Sequence, residues 1–298
     1  MKLNFKDFTI DDKVTYEKYR QFNSELLGWE YSFAMTYIWN AFSRTQICDM
    51  GDMAFVQTCF LKKCLFYPPL LKHQDDLVKA VEIMEEHSKR QGIPLDIRGF
   101  TKEQADKLDS NKYKITTDRG NSDYIYSLDD LSNLTGKKFH SKRNFVNRFK
   151  LKYNYEFRLY DESKDKKNVL NLYVKWNDGT AHETAEIEKT VIKRALQFYK
   201  ELNLTITVLY VDGNLVAFNV SDTNSPFIIH SCFEKADRDY EGSYQAINQF
   251  TAQEFLSKTA PIVNRQEDMN IEGLRKAKLS YNPIEILDKY RVQLTIDK

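Results

Sequence analysis

LTITVLYVDGNLVAFNVSDTNSPFIIHSCF, residues 204–233, is the stretch that decides the fold of this chain. It is rich in β-branched and aromatic residues, and the turn sequences Asp212-Gly213 and Asn224-Ser225-Pro226 divide it into three runs. This pattern predicts an antiparallel meander. Helical spacing of apolar residues precedes it at 167–203 and follows it at 243–258. The order predicts an α/β (α+β) domain in which helices flank a central sheet.

The first half of the chain follows a similar order of elements. Its parts are helix-like spacing (10–46), a β-rich run (45–70), a helix stopped by Gly92 (75–92), a strand (93–100), a short helix (102–110) and a hairpin through Arg119-Gly120-Asn121 (113–128). We therefore predict two domains of one architecture, residues 1–130 and 131–298, with the working site in the second. The repeat is one of element order, because no repeated sequence is evident.

The composition is that of a globular protein. Of the 298 residues, 42% are hydrophobic and 29% are charged, which is enough apolar material for a substantial core. The chain has 44 Lys plus Arg against 43 Asp plus Glu, so its overall charge indicates no polyanionic partner. Only a local cluster of basic residues could bind one.

Cysteine usage and hydropathy indicate a reducing compartment. Cys48, Cys59, Cys64 and Cys232 show no CxxC spacing and lie in or beside apolar runs, so we predict reduced core thiols. The first residues lack the apolar segment of a secretory signal, and no run approaches the about 18 apolar residues of a membrane span. We expect a cytoplasmic protein with no integral membrane association.

The strongest local charge cluster lies in residues 131–153. Between 137 and 152 there are seven basic residues and no acid, namely Lys137, Lys138, Lys142, Arg143, Arg148, Lys150 and Lys152. On a helix, His140, Asn144 and Asn147 share one face. A solvated basic helix is one interpretation. Short polar side chains in register favour the other interpretation, in which the helix binds a ligand, because such residues are poor helix formers.

Residues 264–283, NRQEDMNIEGLRKAKLSYNP, place charges of both signs at a junction between a strand and a helix. One interpretation is an ion-pair network at the end of the sheet. The other is a site facing the crevice at the carboxyl end of a strand, where α/β proteins commonly bind ligands. The pattern alone leaves both open.

The two segments together resemble an uncharacterised bacterial family related to the C-terminal domain of phosphatidylglycerol lysyltransferase. The sequences that carry the resemblance are GKKFHSKRNFVNRF (136–149), NRQEDMNIEGLRKAKLSY (264–281), YVKWN (173–177), HETAEIE (182–188), FEKAD (233–237) and GSYQAIN (242–248). The resemblance implies a tandem GNAT-like fold, as in the Fem-type peptidyltransferases, with two mixed sheets flanked by helices. It also implies an aminoacyl-tRNA donor. Because the two motif segments lie in the second domain, we expect the first domain to be non-catalytic.

One segment departs from the CoA-binding members of the GNAT fold. Those proteins cradle a pyrophosphate with a glycine-rich loop at a helix N-terminus. Here the corresponding stretch, residues 239–244, has the sequence DYEGSY, with one glycine and two acids. Acids repel a pyrophosphate, so this stretch favours tRNA over CoA as the carrier of the acyl group.

Candidate site residues follow from these segments. The catalytic candidates are Glu183, Glu267, Asp268, Lys278 and Tyr281. The donor-binding candidates are Lys138, His140, Lys142, Arg143, Asn144, Asn147 and Arg275. The candidates for substrate binding are Trp176, Tyr244 and Asn264. Glu183 could orient or deprotonate an amine, or its segment could be a helix N-terminus with acids that suit the dipole.

No metal ion is predicted. In residues 182–186, HETAE, the second histidine of a zinc-binding HExxH pattern is replaced by Glu186. We also expect no permanently bound cofactor. Aminoacyl-tRNA would act as the donor substrate, and acyl-CoA is the alternative donor.

The sequence therefore predicts an acyl- or aminoacyl-group transferase. It would move an aminoacyl group from tRNA to an amine or hydroxyl acceptor, which could be a small molecule, a peptide or a lipid. Two alternatives stay open. One is a CoA-dependent N-acyltransferase with a divergent loop, and the other is a non-catalytic RNA-binding or regulatory module.

Overall fold

Two β-sheets organise the chain in a computed structural model that describes residues 2–60, 63–178 and 185–295. The strands are β1 (Lys6–Asp7), β2 (Arg44–Asp49), β3 (Met53–Phe60), β4 (Lys63–Phe66), β5 (Leu70–Leu71), β6 (Asp96–Phe100), β7 (Tyr113–Thr117), β8 (Asp123–Ser127), β9 (Tyr155–Leu159), β10 (Leu204–Val211), β11 (Asn214–Asp222), β12 (Ile228–Ala236), β13 (Ile262–Asn264), β14 (Glu285–Leu287) and β15 (Tyr290–Leu294). The helices are α1 (Lys13–Arg20), α2 (Phe33–Trp39), α3 (Leu77–Gln91), α4 (Lys102–Asp106), α5 (Leu128–Asn133), α6 (His140–Lys152), α7 (Glu162–Asn177), α8 (Ala185–Gln197), α9 (Ser243–Thr251) and α10 (Glu272–Leu279).

The chain contacts divide these elements into two units. The first unit runs to Asp123 and also takes in Glu267–Ile271 and the residues from Ile286 onward, while the second consists of Tyr124–Gln266 and Glu272–Glu285. The predicted division after residue 130 therefore differs from the division by contacts. The last strand accounts for much of the difference, because β15 pairs with β6 and β7 in the first sheet.

The sheet of the first unit has the order β1-β2-β3-β4-β6-β15-β7, with β5 added to β3. Helix α3 covers this sheet with Leu77, Val81 and Met84, which are buried in the core of the unit. The helix ends at Gly92, which adopts a left-handed conformation (φ 65°) as a C-terminal cap. The predicted helix and its glycine stop are therefore confirmed.

Two predictions for the first half are wrong. Residues 113–128 do not form a hairpin, since β7 pairs with β15 and β8 pairs with β13 in the other sheet. Cys59 and Cys64 are not both reduced core thiols, because they are joined by a disulfide. They face each other across β3 and β4, with 4.0 Å between their Cα atoms, which brings the sulfurs within bonding reach. Cys48 and Cys232 are free and buried, as predicted.

A buried ionic cluster ties the C-terminal segment into the first unit. The Lys289 Nζ lies 3.1 Å from Glu30 Oε1, 2.9 Å from Asp123 Oδ1 and 3.8 Å from Glu267 Oε2. Lys289, Glu30 and Asp123 are 8%, 5% and 0% exposed. Gly99 makes room for the Glu30 carboxylate, since a Cβ at this position (φ 102°) would lie 2.8 Å from it. Unpaired buried charges are costly, so the lysine is essential to this arrangement.

The Glu30 carboxyl group makes stability depend on pH. Burial raises its pKa to about 7, with Lys289 opposing the rise and Asp123 adding to it. The folded state then holds a proton that the unfolded state has lost, so stability falls as pH rises from about 4.5 to about 7. We expect a loss on the order of 3 kcal/mol over this window, and Glu30→Gln should remove it. Melting temperatures at pH 5 and pH 7 test this, and an unchanged pH dependence in the variant would contradict it.

The sheet of the second unit has the order β14-β8-β13-β12-β11-β10-β9. The predicted meander of residues 204–233 is present as the antiparallel strands β10, β11 and β12. Strand β13 lies parallel to β12, and their ladder stops at the pair His230 and Asn264. Strand β12 continues to Ala236 without β13 beside it, and we call the region after this last pair the opening between the two strands.

Helices α6 and α9 lie in close contact in the core of the second unit. A Cβ on Gly242, which precedes α9 with φ 86°, would lie 2.6 Å from the Phe145 carbonyl oxygen of α6. Glycine at this position therefore permits the basic helix to approach the N-terminus of α9. Among the described residues, the helices are all too short or too polar to cross a lipid bilayer.

Candidate functional site

The candidate site lies in the second unit, at the opening between β12 and β13. Glu234 projects from β12, Asn219 from β11 and Asn248 from α9, while Arg265 directly follows β13. Ligands of α/β proteins commonly bind beyond the carboxyl ends of strands, and β13 ends here while β12 ends two residues after Glu234. The meander supplies the two strand residues, and the helix that follows it supplies the third.

A hydrogen-bonded network holds these side chains together. The Arg265 Nη2 donates to Glu234 Oε1 at 2.7 Å, and the amide nitrogens of Asn248 and Asn219 donate to Glu234 Oε2 at 3.0 and 3.3 Å. The Arg265 and Glu234 side chains are only 14% and 10% exposed. The carboxylate thus accepts three hydrogen bonds and sets the orientation of the guanidinium group.

Two buried polar atoms of this network have no hydrogen-bond partner among the described residues. They are the Arg265 Nη1 and the Asn248 Oδ1. Both residues line a cavity of about 10 Å³, with Ser231 beside them. This volume has room for about one water-sized group. Because an unsatisfied buried polar group is costly, a donor and an acceptor on residues that line one small cavity indicate that a single polar group binds there.

Aromatic rings support the guanidinium group from outside the network. The Arg265 guanidinium lies 5.4 Å from the Tyr126 ring centre and 4.8 Å from that of Tyr281. The Lys142 Nζ lies 4.3 Å from the Tyr281 ring, which links the basic helix α6 to the same ring. Burial, and secondly the Arg265 charge, lower the pKa of the Lys142 ammonium. The structure therefore brings together Lys142, Tyr281 and Arg265 from the two predicted segments.

Lys278 stabilises the backbone next to this site. Its Nζ donates to the carbonyl oxygens of Arg265 and Gln266. Asn264 is fully buried, and its side-chain oxygen accepts a hydrogen bond from the Gln266 backbone at 2.7 Å. Arg275 is half-buried on α10. These contacts fix the chain on either side of Arg265.

The other predicted donor-binding residues lie along α6. Lys138 pairs with Asp130 at 2.8 Å, and Arg143 donates to the backbone carbonyl oxygens of Leu134 and Gly136. His140 contacts Asn144 at 3.1 Å, which agrees with their predicted shared face. Asn144 and Asn147 are exposed. Lys138 and Arg143 therefore hold the start of the helix, and the amide face is open to a ligand.

Glu267 and Asp268 lie in the first unit. Glu267 lies near Lys289, and Asp268 is fully buried with its Oδ2 3.5 Å from Arg119 Nη1. Both carboxyl groups belong to ion pairs of that unit. The remaining catalytic candidate, Glu183, is outside the described residues.

The predicted substrate-binding aromatics contact each other. The Trp176 Nε1 donates to the Tyr244 hydroxyl group, and the Lys235 Nζ lies 3.7 Å from the Trp176 ring centre. Lys235 is 9% exposed and pairs with Glu188 at 2.9 Å. Burial lowers the pKa of the Lys235 ammonium, with Glu188 opposing this effect. One side of the Trp176 ring is thus already covered by a cation.

Sequence reasoning missed Glu234, Asn219 and Asn248, and it placed Arg265 in the right segment without making it a candidate. Glu234 and Asn248 lie within FEKAD and GSYQAIN, two segments that carry the family resemblance, but no role was assigned to them. Asn219 stands between Phe218 and Val220 in an apolar strand. A polar residue inside an apolar strand is the signal that could have identified Asn219, because a buried polar group needs a hydrogen-bond partner.

Part of the loop before α9 is hydrogen-bonded within itself. The backbone N–H groups of Asp239, Tyr240 and Ser243 already donate within the loop. Lys175 pairs with Asp237 and Asp239 at 2.7 Å each. These three N–H groups are therefore not available to phosphate oxygens.

Comparisons with known proteins cover nearly the whole chain. A family model described as "Phosphatidylglycerol lysyltransferase, C-terminal" matches residues 23–293. A conserved protein of unknown function from Bacteroides thetaiotaomicron has a crystal structure with 29% identity and a TM-score of 0.88, and the match covers 98% of this chain and all of that chain.

Two further solved structures share the fold at lower identity. The structure of L-PGS from Bacillus licheniformis matches with 15% identity and a TM-score of 0.68, over 95% of this chain and 92% of that one. The crystal structure of FemX matches with 11% identity and a TM-score of 0.55, over 97% of each chain. The predicted tandem GNAT-like fold, with two mixed sheets flanked by helices, is confirmed.

Proposed function

This chain belongs to the family of the phosphatidylglycerol lysyltransferase C-terminal domain, and from that premise we propose that it transfers an aminoacyl group from aminoacyl-tRNA to an amine or hydroxyl acceptor. Family and fold are those of an acyltransferase related to lysyl-phosphatidylglycerol synthases and Fem transferases. The name of the family describes transfer of a lysyl group to a lipid, phosphatidylglycerol. Which molecules act as donor and acceptor for this chain is our proposal.

The observation that carries the proposal is the pair of unpartnered atoms at the cavity, Arg265 Nη1 and Asn248 Oδ1. The carbonyl oxygen of an aminoacyl ester accepts hydrogen bonds, and Arg265 Nη1 is the complementary donor. The cavity has room for about one water-sized group, so a single polar atom of the ester would occupy it. The choice of an aminoacyl group over a simple acyl group rests on the family and on the charge distribution described next.

The charge distribution supports tRNA as the carrier of this group. Helix α6 is basic, and its residues Lys150 and Lys152 are exposed to solvent. The loop before α9, where CoA-binding members bind a pyrophosphate, contains Asp237 and Asp239, and the N–H groups of its residues 239, 240 and 243 are engaged within the loop. A basic helix suits the phosphates of an RNA, because binding releases counterions from the nucleic acid.

In the proposed reaction, the acceptor nitrogen or oxygen attacks the carbonyl carbon of the aminoacyl ester. The bond between that carbon and the ribose oxygen of tRNA breaks, and the proton of the acceptor passes to this leaving oxygen. The Arg265 Nη1 donates to the carbonyl oxygen as negative charge develops on it. Glu234 and the Tyr281 ring keep the guanidinium in place, so they act as positioning residues. The acyl group never becomes bonded to the protein.

Reversing two charges on α6 tests the donor. Lys150→Glu with Lys152→Glu should lower the affinity for aminoacyl-tRNA, because both side chains are exposed on α6 and the change replaces two positive charges by two negative ones. The slope of log affinity against log salt should become shallower by about 1.5, which corresponds to two lost phosphate contacts. Fluorescence anisotropy over a series of salt concentrations measures this slope.

A matched control uses two exposed lysines of the first unit. Lys107→Glu with Lys114→Glu makes the same change in net charge on another surface. This control should bind tRNA like the unmodified protein. If both double variants weaken binding equally, only the overall charge matters and α6 is not the donor surface.

A further inference from the structure

A groove of about 300 Å³ opens beside the N-terminus of α9 in the second unit. Residues of α7, of the turn between β10 and β11 and of the loop before α9 line it; those used below are Asn168, Asn171, Lys175, Asn214, Asp237 and Tyr240. We propose that this groove binds the 3′-terminal nucleoside of the RNA donor. The inference rests on the proposed function, and it assigns a separate site to the carrier rather than to the aminoacyl group.

The lining offers the groups that recognise an unpaired base. Asn168, Asn171 and Asn214 present side-chain amides, and the Asn168 nitrogen donates to the Tyr210 hydroxyl group at 3.1 Å, which fixes its orientation. Amides pair with the edge of adenine through one donor and one acceptor. The half-buried Tyr240 ring adds an aromatic surface on which a base can stack.

The charges that line the groove favour a nucleoside over a phosphate. The Lys175 Nζ lies 2.7 Å from a carboxylate oxygen of Asp237, which lines the groove with it, and 2.7 Å from one of Asp239 outside the lining. The lysine of the lining is therefore already neutralised by acids and gives a phosphate no excess positive charge to bind. Ribose hydroxyl groups, in contrast, can donate to the Asp237 carboxylate.

The groove is adjacent to the C-terminal end of the basic helix. Tyr153, which directly follows α6, has its ring 5.6 Å from that of Tyr240. Arg148 of α6 pairs with Glu241 of the loop at 2.9 Å. An RNA strand whose phosphates contact α6 would therefore reach the groove at the C-terminal end of this helix. The groove volume lies at the lower limit of small-ligand pockets, roughly 300 to 1,000 Å³, which suits a single nucleoside.

The groove and the candidate site both lie next to the end of β12. Asp237 lines the groove, and Glu234 in the candidate site precedes it by three residues. Side chains three residues apart on a strand lie on opposite faces of a sheet, and Glu234 contacts α9 whereas Asp237 contacts α7. The nucleoside and the aminoacyl group would therefore bind on the two sides of β12, with the ribose ester passing around the end of this strand.

The experiment measures binding of uncharged RNA and is independent of the transfer reaction. A labelled single-stranded RNA that ends in CCA is compared by fluorescence anisotropy with the same RNA ending in CCU. The full-length protein should prefer terminal adenosine about tenfold. Asn171→Ala with Asn214→Ala removes two exposed amides and should abolish the preference. Asn133→Ala, an exposed amide on α5, serves as the control and should keep it.

The outcomes separate the groove from the reaction. Equal binding of the two RNAs, or a preference that survives in the double variant, overturns the inference, even if charged tRNA still serves as a donor. A preference lost only in the double variant supports the groove, even if no aminoacyl transfer is detected and the proposed function fails. Displacement of the RNA by coenzyme A in a manner that depends on Asn171 and Asn214 would assign the groove to another nucleotide and also overturn the inference.

Discussion

Replacing Arg265 by lysine should lower the rate of aminoacyl transfer about 100- to 1,000-fold, with little effect on donor binding. Lysine keeps the positive charge but loses the forked geometry of the guanidinium. A single ammonium group cannot donate to Glu234 and at the same time present a second nitrogen to the cavity, as Arg265 does. Transfer of a radiolabelled aminoacyl group from charged tRNA, measured as kcat and KM, tests this expectation.

Two further variants define the origin of the effect. Arg90→Lys, on the exposed surface of α3, makes the same chemical change and should leave the rate unchanged. Glu234→Gln keeps the shape of the positioning residue but weakens its hold on Arg265, so it should cost less than the loss of the guanidinium. If Arg265→Lys melts at the normal temperature and retains the normal kcat, the carbonyl oxygen does not bind at this cavity.

Replacing Lys289 by methionine should destabilise the protein by about 3 to 5 kcal/mol. The change removes the lysine that lies within 4.0 Å of Glu30, Asp123 and Glu267. The carboxyl groups of Glu30 and Asp123 would then stay buried next to each other without its charge. The midpoint of urea unfolding measures the loss, and the unfolding of the unmodified protein at the same pH is the reference.

Neutralising the carboxyl groups should reverse most of this loss. Lys289→Met combined with Glu30→Gln and Asp123→Asn replaces the cluster by neutral groups of similar size. Lys112→Met is the matched control, because Lys112 pairs with Glu85 at 2.8 Å but is 41% exposed. It should cost about 1 kcal/mol or less. An equal loss of stability in Lys112→Met and Lys289→Met would contradict this prediction, because it would show that burial of the ion pair does not increase its contribution to stability.

Much of the fold was predictable from local sequence. Hydrophobic spacing and glycine stops predict helices such as Leu77–Gln91 because these signals act within one element. Residues 283–296 show the limit. They read as one strand, but they form β14 in the second sheet and β15 in the first, on either side of Asp288. Strand propensity does not specify a pairing partner, so the sequence does not show that this segment passes from the second sheet to the first.

The candidate site was predictable only in part, for the same reason. Residues 264–283 were expected to contribute to it, and Arg265 does lie there. Glu267 follows it by two residues but lies in the first unit, because the chain passes from one unit to the other after Gln266. Asn219 and Asn248 meet Glu234 only through tertiary packing. Closeness along the chain was therefore a poor guide to closeness in space.

Native mass spectrometry of the protein in a mixed pool of aminoacyl-tRNA and acyl-CoA tests the central claim most directly. It identifies the carrier that the protein selects and requires no knowledge of the acceptor. We expect a one-to-one complex with aminoacyl-tRNA that is weakened by Lys150→Glu with Lys152→Glu, and no retained acyl-CoA. A stoichiometric complex with acyl-CoA and none with aminoacyl-tRNA would contradict the account.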